Sequence, residues 1–202
     1  HLLSRDAKKA ARQRQHFAAM KWSELPVLMA NLRKDDTLPS FAAQLLILTG
    51  ARAHMVRFAC WEEFDFDYKI WVLSAERMKA RKAFAIPLSE QVIDLLAEIP
   101  RIEGGSFLFP GRGKSGVMHA NAVRTLLHGM KHAEITRHGF RSTFRDWAAE
   151  NTDHSREVCE MALAHDDRDQ TEGAYSRTDF LEKRRPLMQE WADFALASNL
   201  PA

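Results

Sequence analysis

The sequence predicts a mainly helical domain that carries one small antiparallel β-sheet. Apolar residues recur at helical spacing before residue 50 and after residue 90, whereas residues 64 to 88 show the shorter period of strands. The 202 residues are 46% hydrophobic and 28% charged, which is typical of a globular chain with a buried core and excludes collagenous and wholly disordered proteins. We expect the domain to occupy residues 16–202 and residues 1–15 to form a basic linker.

Two helices are predicted before residue 50. The first runs from Ser23 to Lys34, and four apolar residues lie on one face of it: Leu25, Leu28, Met29 and Leu32. The second runs from Phe41 to Leu48. It ends at Gly50, because glycine readily adopts the left-handed conformation that closes a helix.

The predicted sheet comes next and carries a basic loop. Its three short strands lie near Phe64 to Asp67, Ile70 to Ser74 and Ala83 to Leu88. Four cations fall between the last two strands: Arg77, Lys79, Arg81 and Lys82. Such a cluster can bind phosphate groups even in a protein whose net charge is only +2, although a solvated charged surface is the commoner explanation.

Five further helices are predicted in the C-terminal half: Val92 to Ile99 after a Ser89 cap, Ala120 to His132, Phe140 to Glu150, Ser155 to Ala164 and Arg185 to Ala197. The glycine-rich stretch 107–116 does not match the GxxxxGK(S/T) phosphate loop and is expected to be a connector. Apolar residues of the last helix can pack on this chain or on a second protomer, and packing on its own core is favoured: Leu187, Trp191, Phe194 and Ala195.

Several classes of protein are excluded by the sequence pattern. No apolar run reaches the roughly 18 residues that span a bilayer, and the first residues lack the features of a signal peptide, so we expect an intracellular protein with no membrane partner. Cys60 and Cys159 are far apart and form neither a disulfide framework nor a metal motif. The histidines 128, 132 and 138 lack acidic or cysteine partners at usable spacing, so neither a metal nor a cofactor is expected.

Two places in the sequence are candidates for binding an anion. Arg52 follows the helix-terminating Gly50, where the chain turns and a planar guanidinium can point into a cleft. His138 and Arg141 are three positions apart, so they share one face at the start of a helix, where an anion is favoured. Taken alone, the second pair is more often explained by a capping histidine and a solvated arginine.

Two later residues carry a weaker signal when taken alone. His165 ends an apolar helix, where a histidine more often has a structural role. Tyr175 follows the polar stretch 166–173, and we expect it to be exposed or to be delivered to a site by a mobile segment.

Five motifs resemble, in order and spacing, the catalytic domain of the tyrosine recombinases, especially the integrases of prophages and genomic islands: TGAR, ERMKARKAFAIPLS, HGFR, LAH and AYSRTD. Each motif is weak alone, but together they cover nearly the whole chain, from about His16 to Phe194. The resemblance implies the mainly α integrase fold of DNA breaking-rejoining enzymes. It also implies six reacting residues: Arg52, Lys79, His138, Arg141, His165 and Tyr175.

The resemblance implies cleavage of DNA without a metal or an external energy source. Arg52 and Arg141 would bind the nonbridging oxygens of a phosphodiester, and His165 would donate a further hydrogen bond. Tyr175 would attack phosphorus and form a 3′-phosphotyrosine, while His138 accepts the phenolic proton.

The lysine of the basic loop would complete this reaction by protonating the departing 5′-oxygen. Lys79 matches the family's hairpin lysine, and Lys82 competes with it for that role. We expect the charged form of Lys79 to be disfavoured by three neighbouring cations, which helps it release a proton: Arg77, Arg81 and Lys82.

The resemblance also implies a partner and a location. The partner is double-stranded DNA with attachment sites, bound by a homo-tetramer of the full-length protein, whereas the isolated domain is expected to be a monomer. The location is the bacterial cytoplasm, at the nucleoid. Because the chain begins with His1 and not with Met, we expect it to be part of a longer polypeptide, in which the resemblance implies preceding core-binding and arm-binding domains.

One departure from the family and two alternative functions remain open. The family commonly has an acidic residue three positions after the first arginine, where this chain has Met55, which bears on the level of activity. Type IB topoisomerases share the reacting residues but relax supercoils as monomers. A DNA-binding module of the same fold without enzymatic activity is the second alternative.

Overall fold

A computed structural model describes residues 19–78, 81–164 and 179–197. These ranges contain eight α-helices: α1 (Leu25–Leu32), α2 (Leu38–Thr49), α3 (Ala53–Arg57), α4 (Glu90–Glu98), α5 (Ala122–Gly129), α6 (Gly139–Asn151), α7 (Arg156–Ala162) and α8 (Leu181–Ala195). They also contain three strands: β1 (Phe64–Asp65), β2 (Ile70–Leu73) and β3 (Phe84–Pro87). The prediction of a mainly α domain with one small antiparallel sheet is confirmed.

Helix α2 lies at the centre of the domain. Pro39 stands in its first turn, where the missing N–H of proline costs no helical hydrogen bond, and every residue from Ser40 to Thr49 is buried. Helices α1, α3, α4, α5 and α8 all contact α2. The helix ends at Gly50, whose φ of 61° is the left-handed conformation that the sequence predicts. Because α2 is surrounded, the residues at its end have a fixed position in the core.

The C-terminal helix α8 packs on the chain's own core, the favoured of the two predictions. Trp191 is fully buried, and its indole N–H donates to the carbonyl of Ile47 in α2 at 2.9 Å. The rings of Phe144 and Trp147 in α6 lie 5.3 Å and 5.0 Å from the Trp191 ring. Burial of a tryptophan whose polar atom is also satisfied makes this contact a strong one.

The sheet has the order β1-β2-β3 and is antiparallel throughout. In its second half Trp71 pairs with Ile86 and Leu73 with Phe84, and the side chains of β2 alternate between the core and solvent. Ser89 follows β3 and caps α4, since its hydroxyl accepts from the Val92 amide. The basic loop connects β2 to β3, the outer strand of the sheet.

One helix was missed and one boundary differs by more than three residues from its prediction, each for a physical reason. Helix α3 was not predicted, because its five residues are too few to show a helical period. Helix α8 begins at Leu181 and not at Arg185, because the Asp179 carboxylate accepts from the Leu181 amide at 3.1 Å and supplies a start that periodicity does not reveal. No helix within the described ranges is long and apolar enough to cross a membrane.

Candidate active site

The structure describes three of the six predicted reacting residues: Arg52, His138 and Arg141. The other three, Lys79, His165 and Tyr175, lie outside the described residues. The predicted linker 1–15 lies outside them as well.

Arg141 lies in the first turn of α6 and is almost completely buried, with 3% of its surface exposed. One terminal nitrogen, Nη1, donates to the carbonyl of Gly50 at 2.5 Å, and the other, Nη2, donates to the carbonyl of Leu163 at 2.5 Å. The guanidinium therefore joins the end of α2 to the residue that follows α7. Two bonds to neutral acceptors fix its plane without cancelling its charge.

Arg52 stands directly before α3 and is half-buried. Its Nη2 donates to the carbonyl of Ala164 at 3.2 Å. Leu163 and Ala164 are consecutive, so the two guanidinium groups hold adjacent carbonyls of one turn. Ala164 has a left-handed φ of 50° and directly precedes the predicted histidine at 165 in the sequence.

His138, Arg141 and Arg52 meet at one cleft of about 210 Å³. His138 is exposed and stands at the start of α6, and Arg137 and Thr136 complete the rim together with Ala53. The amide of Gly139 donates to the Thr136 hydroxyl at 2.9 Å, so this first amide of α6 is already used within the protein. Side chains, more than helix amides, thus give the cleft its positive character.

The electrostatics of the cleft favour an anion. Burial lowers the pKa of Arg141 to about 10, the neighbouring Arg52 contributes to this lowering, and Glu160 opposes it. Burial also lowers the pKa of Arg52. Both groups are still protonated at neutral pH, so two like charges lie side by side, and an anion between them relieves their repulsion.

Glu160, a buried carboxylate in α7, supports the turn beneath the cleft. Its side chain is 8% exposed and lies 2.5 Å from Nη2 of Arg145. Its carbonyl accepts from the Leu163 amide at 3.1 Å, which adds a second tie to the turn that Arg141 holds. An isolated acidic residue in a helix gives no periodic signal, so sequence reasoning did not identify Glu160.

Arg77, one of the four cations of the predicted basic loop, bonds to other groups of the protein. Its side chain is 19% exposed, and its guanidinium forms an ion pair with Glu63 and donates to the carbonyls of Met55 and Phe58 at 2.7 Å each. Arg77 therefore ties the start of the loop to α3. Arg81 and Lys82 are exposed, and the expected effect of these cations on Lys79 stays a prediction, since Lys79 lies outside the described residues.

Met55, at the position where the family commonly has an acidic residue, is buried with 2% of its surface exposed. Its sulfur accepts from the backbone N–H of Arg52 at 3.4 Å. The methionine thus packs into the core and accepts a hydrogen bond from the backbone of Arg52. A carboxylate at this position would add a negative charge. Within the described ranges no group of three or more His, Cys, Asp or Glu side chains is placed to hold a metal ion.

Comparison with known proteins gives one family. The pattern of the phage integrase family matches residues 19–182. The integrase of Enterobacteria phage P4 is 33% identical to this chain, and the match covers 89% of the chain and 46% of that protein. The prophage integrase IntA of Escherichia coli strain K12 is also 33% identical, with coverages of 93% and 46%. The chain therefore spans about half the length of these relatives.

Two solved structures share the fold. The integrase from mycobacterium phage Brujita superposes with a TM-score of 0.62 at 20% identity, over 89% of this chain and 60% of that one. A lambda integrase dimer bound to a COC′ core site superposes with a TM-score of 0.58 at 17% identity, over 87% and 64%. The integrase fold that the sequence motifs predict is confirmed.

Proposed function

Because the chain belongs to the phage integrase family, we propose that it catalyses site-specific DNA recombination by cutting and rejoining strands through a 3′-phosphotyrosine. The observation that carries the proposal is the cleft in which Arg52, His138 and Arg141 meet. Arg52 is far in sequence from the other two residues, and the two guanidinium groups are fixed by backbone carbonyls.

The arginines bind the scissile phosphate. As a nucleophile adds to phosphorus, negative charge grows on the nonbridging oxygens, and cations that already face those oxygens stabilise the transition state without reorganising. Arg141 supplies a fixed, desolvated charge, since two carbonyls orient it and burial lowers its pKa. Arg52 donates to the next carbonyl of the same turn, that of Ala164, and supplies the second charge.

The remaining roles fall to His138 and to three residues known from the sequence alone. The phenolic oxygen of Tyr175 forms a bond to phosphorus as the bond to the 5′-oxygen breaks; His138 accepts the phenolic proton and Lys79 donates one to the leaving oxygen. The reverse reaction reseals the strand, so no external energy is used. His165 donates to the phosphate, and Ala164, the residue before it, is held by Arg52.

The substrate is double-stranded DNA that carries attachment sites. Lambda integrase, whose fold this chain shares, is bound to a DNA core site in its structure, which supports DNA as the partner. Exchange between two sites requires four strands to be cut, so we propose a homo-tetramer of the full-length protein on DNA. The reaction takes place in the bacterial cytoplasm, where the nucleoid lies.

Covalent capture from a random pool tests this function and finds the target sequence at the same time. Nicked duplexes with randomised cores are incubated with the chain at high concentration, and protein-linked strands are recovered under denaturing conditions and sequenced. Loss of the short fragment downstream of the cut traps the intermediate. The matched control is Tyr175→Phe, which removes only the attacking oxygen.

We expect wild-type protein to recover an enriched sequence attached through its 3′ end and Tyr175→Phe to recover none. Equal recovery by both proteins, or enrichment without a covalent bond, would contradict the proposal and favour a DNA-binding module. Two recovered sites are then placed on separate duplexes. Strand exchange between them supports recombination, whereas relaxation of supercoiled DNA without exchange would identify a topoisomerase.

A further inference from the structure

Arg184, in the first turns of α8, is the one fully buried arginine of the described ranges that the proposed chemistry does not use. Its side chain has no exposed surface. Nε donates to the backbone carbonyl of Asp179 at 2.8 Å, Nη2 to the Asp179 carboxylate at 3.2 Å, and Nη1 to the carbonyl of Ala85 at 2.8 Å. The guanidinium carbon lies 4.6 Å from the centre of the Phe84 ring.

These contacts join two parts of the chain that are far apart in sequence. Ala85 and Phe84 belong to β3, an outer strand of the sheet, and Arg184 bonds one backbone carbonyl of that strand. Asp179 is the first described residue after the gap at 165–178, and its carboxylate also accepts from the Leu181 amide at the start of α8. All three nitrogens of the guanidinium are therefore engaged, and both acceptor segments are held at fixed places.

The two joined segments border the residues that carry the proposed chemistry. Asp179 follows Tyr175 by four positions, and β3 begins five positions after Lys79. Four residues of chain extend at most about 14 Å, so the place where Asp179 is held limits where the tyrosine can be delivered.

We propose that Arg184 is a positioning residue for strand cleavage, which holds Asp179 against β3 and so fixes the C-terminal anchor of the tyrosine-bearing segment. This inference rests on the proposed function, because it assigns a purpose to a contact beside the nucleophile. Arg184 touches neither the substrate nor the reacting atoms. It acts through Asp179.

A packing role alone would lower stability, whereas a positioning role also lowers the rate of one chemical step. Attack on phosphorus depends steeply on the place of the nucleophile, and a misplacement of about 1 Å can cost about 10²-fold in rate. Asp179 has a side chain that is 43% exposed, so its carboxylate stays hydrated when Arg184 is replaced. Loss of the arginine therefore does not bury an unpaired charge.

The test compares Arg184→Met with wild type on a nicked duplex recovered by covalent capture, at saturating DNA and below the unfolding temperature of each protein. Arg184→Lys is the second variant, since it keeps the charge but cannot bond three acceptors in a plane. Arg185→Met is the matched control from the same helix. Arg185 pairs with Glu182 at the surface and makes no contact with Asp179 among the described interactions.

A second reaction separates positioning from general damage. In a Tyr175→Phe background, hydrogen peroxide supplies the attacking oxygen: a peroxide oxygen bonds to phosphorus as the bond to the 5′-oxygen breaks. This reaction uses the arginine cleft but needs no correctly placed tyrosine. The rate of peroxide cleavage by the double variant, Arg184→Met with Tyr175→Phe, then shows whether the arginine cleft is still active.

We expect Arg184→Met to slow tyrosine cleavage about 10²-fold, with Arg184→Lys between it and wild type, and to leave peroxide cleavage and DNA affinity unchanged. Equal losses in the tyrosine and peroxide reactions would overturn the inference, because the cleft itself would be damaged. Unchanged tyrosine cleavage would overturn it while the proposed function stands. Failure of wild-type protein to form a Tyr175-dependent complex would overturn both.

Discussion

Arg141 and Arg184 are both buried arginines whose pKa is lowered to about 10, chiefly by burial, yet their surroundings differ. The strongest charged influence on Arg141 is Arg52, a like charge that also lowers its pKa. The strongest charged influence on Arg184 is Asp179, an opposite charge that raises it. Arg141 opens onto a cleft, and Arg184 is enclosed between β3 and α8.

The difference separates a binding arginine from a structural one. A buried cation beside an opposite charge is already satisfied, whereas a buried cation beside a like charge is stabilised by an incoming anion. Burial and pKa alone do not distinguish the two arginines. The sign of the nearest charge and access to solvent do.

The largest expected effect is on strand cleavage after replacement of Arg141 by lysine. Lysine keeps the charge but cannot hold Gly50 and Leu163 together while it also faces a phosphate. We expect Arg141→Lys to lower the first-order cleavage rate by about 10²–10³, as removal of a preorganised donor does in other enzymes. Arg33→Lys, on an exposed arginine beside Gln91 and Asp94, is the control and should cleave as wild type does. A wild-type rate for Arg141→Lys would place Arg141 with Arg184 among the structural arginines.

The next effect concerns the stability of the turn that holds Arg141. Gly50 has a φ of +61°, and a Cβ built there would lie 3.0 Å from Cδ2 of Leu163. We expect Gly50→Ala to lower the free energy of unfolding by about 3 kcal/mol, from backbone strain and crowding together. Gly104 has a φ of +72° with no atom within 4 Å of its built Cβ, so Gly104→Ala should cost only about 1 kcal/mol. Urea denaturation measures both, and equal losses would show that the Leu163 contact does not matter.

A smaller effect should appear in the salt dependence of DNA binding. Each phosphate contact contributes about one unit to the slope of log K against log salt concentration. Arg141→Met should lower the magnitude of that slope by about one, and Arg184→Met should leave it unchanged. Fluorescence anisotropy over a salt series measures the slope. Equal slopes for the two variants would place both arginines in the same class.

The smallest effect is on the titration of His54, in α3 beside Arg52. Partial burial and then the Arg52 charge lower the pKa of His54 below its ordinary value of 6.5. The unfolded chain therefore binds more protons between the folded pKa and 6.5, so stability is full above 6.5 and is lost as pH falls through the folded pKa. Arg52→Gln should raise the pKa of His54 and so narrow the pH range over which this stability is lost. NMR titration of His54 measures the change in pKa. An unchanged His54 pKa would mean that the charge of Arg52 does not lower the pKa of its neighbour.

Much of the fold and part of the site follow from local sequence. The left-handed Gly50, the Ser89 cap and the alternation in β2 are set by neighbouring residues, so pattern reasoning finds them. The meeting of Arg52 with Arg141 required the order of five motifs, because no local pattern links positions 89 apart in sequence.

Contacts between distant segments were beyond sequence reasoning. From the sequence, Arg77 is one more cation of a basic loop, and only the structure shows its ion pair with Glu63. Arg184 is likewise one of two adjacent arginines at the charged start of a helix, and only the structure shows its contacts. Glu63, the partner of Arg77, and Ala85, a partner of Arg184, lie on elements that the local pattern does not connect to the arginine. The roles of Lys79, His165 and Tyr175 stay predictions, since these residues lie outside the described ranges.

The central claim is that Arg52 and Arg141 bind the charge of the scissile phosphate, and a neutral substrate tests it most directly. A methylphosphonate at the scissile position removes the nonbridging charge and keeps the rest of the DNA. If the arginines act on that charge, the roughly 10²–10³-fold defect of Arg141→Lys on the phosphodiester falls to about tenfold or less on the methylphosphonate. An equal defect on both substrates would contradict the claim and leave Arg141 as a structural residue like Arg184.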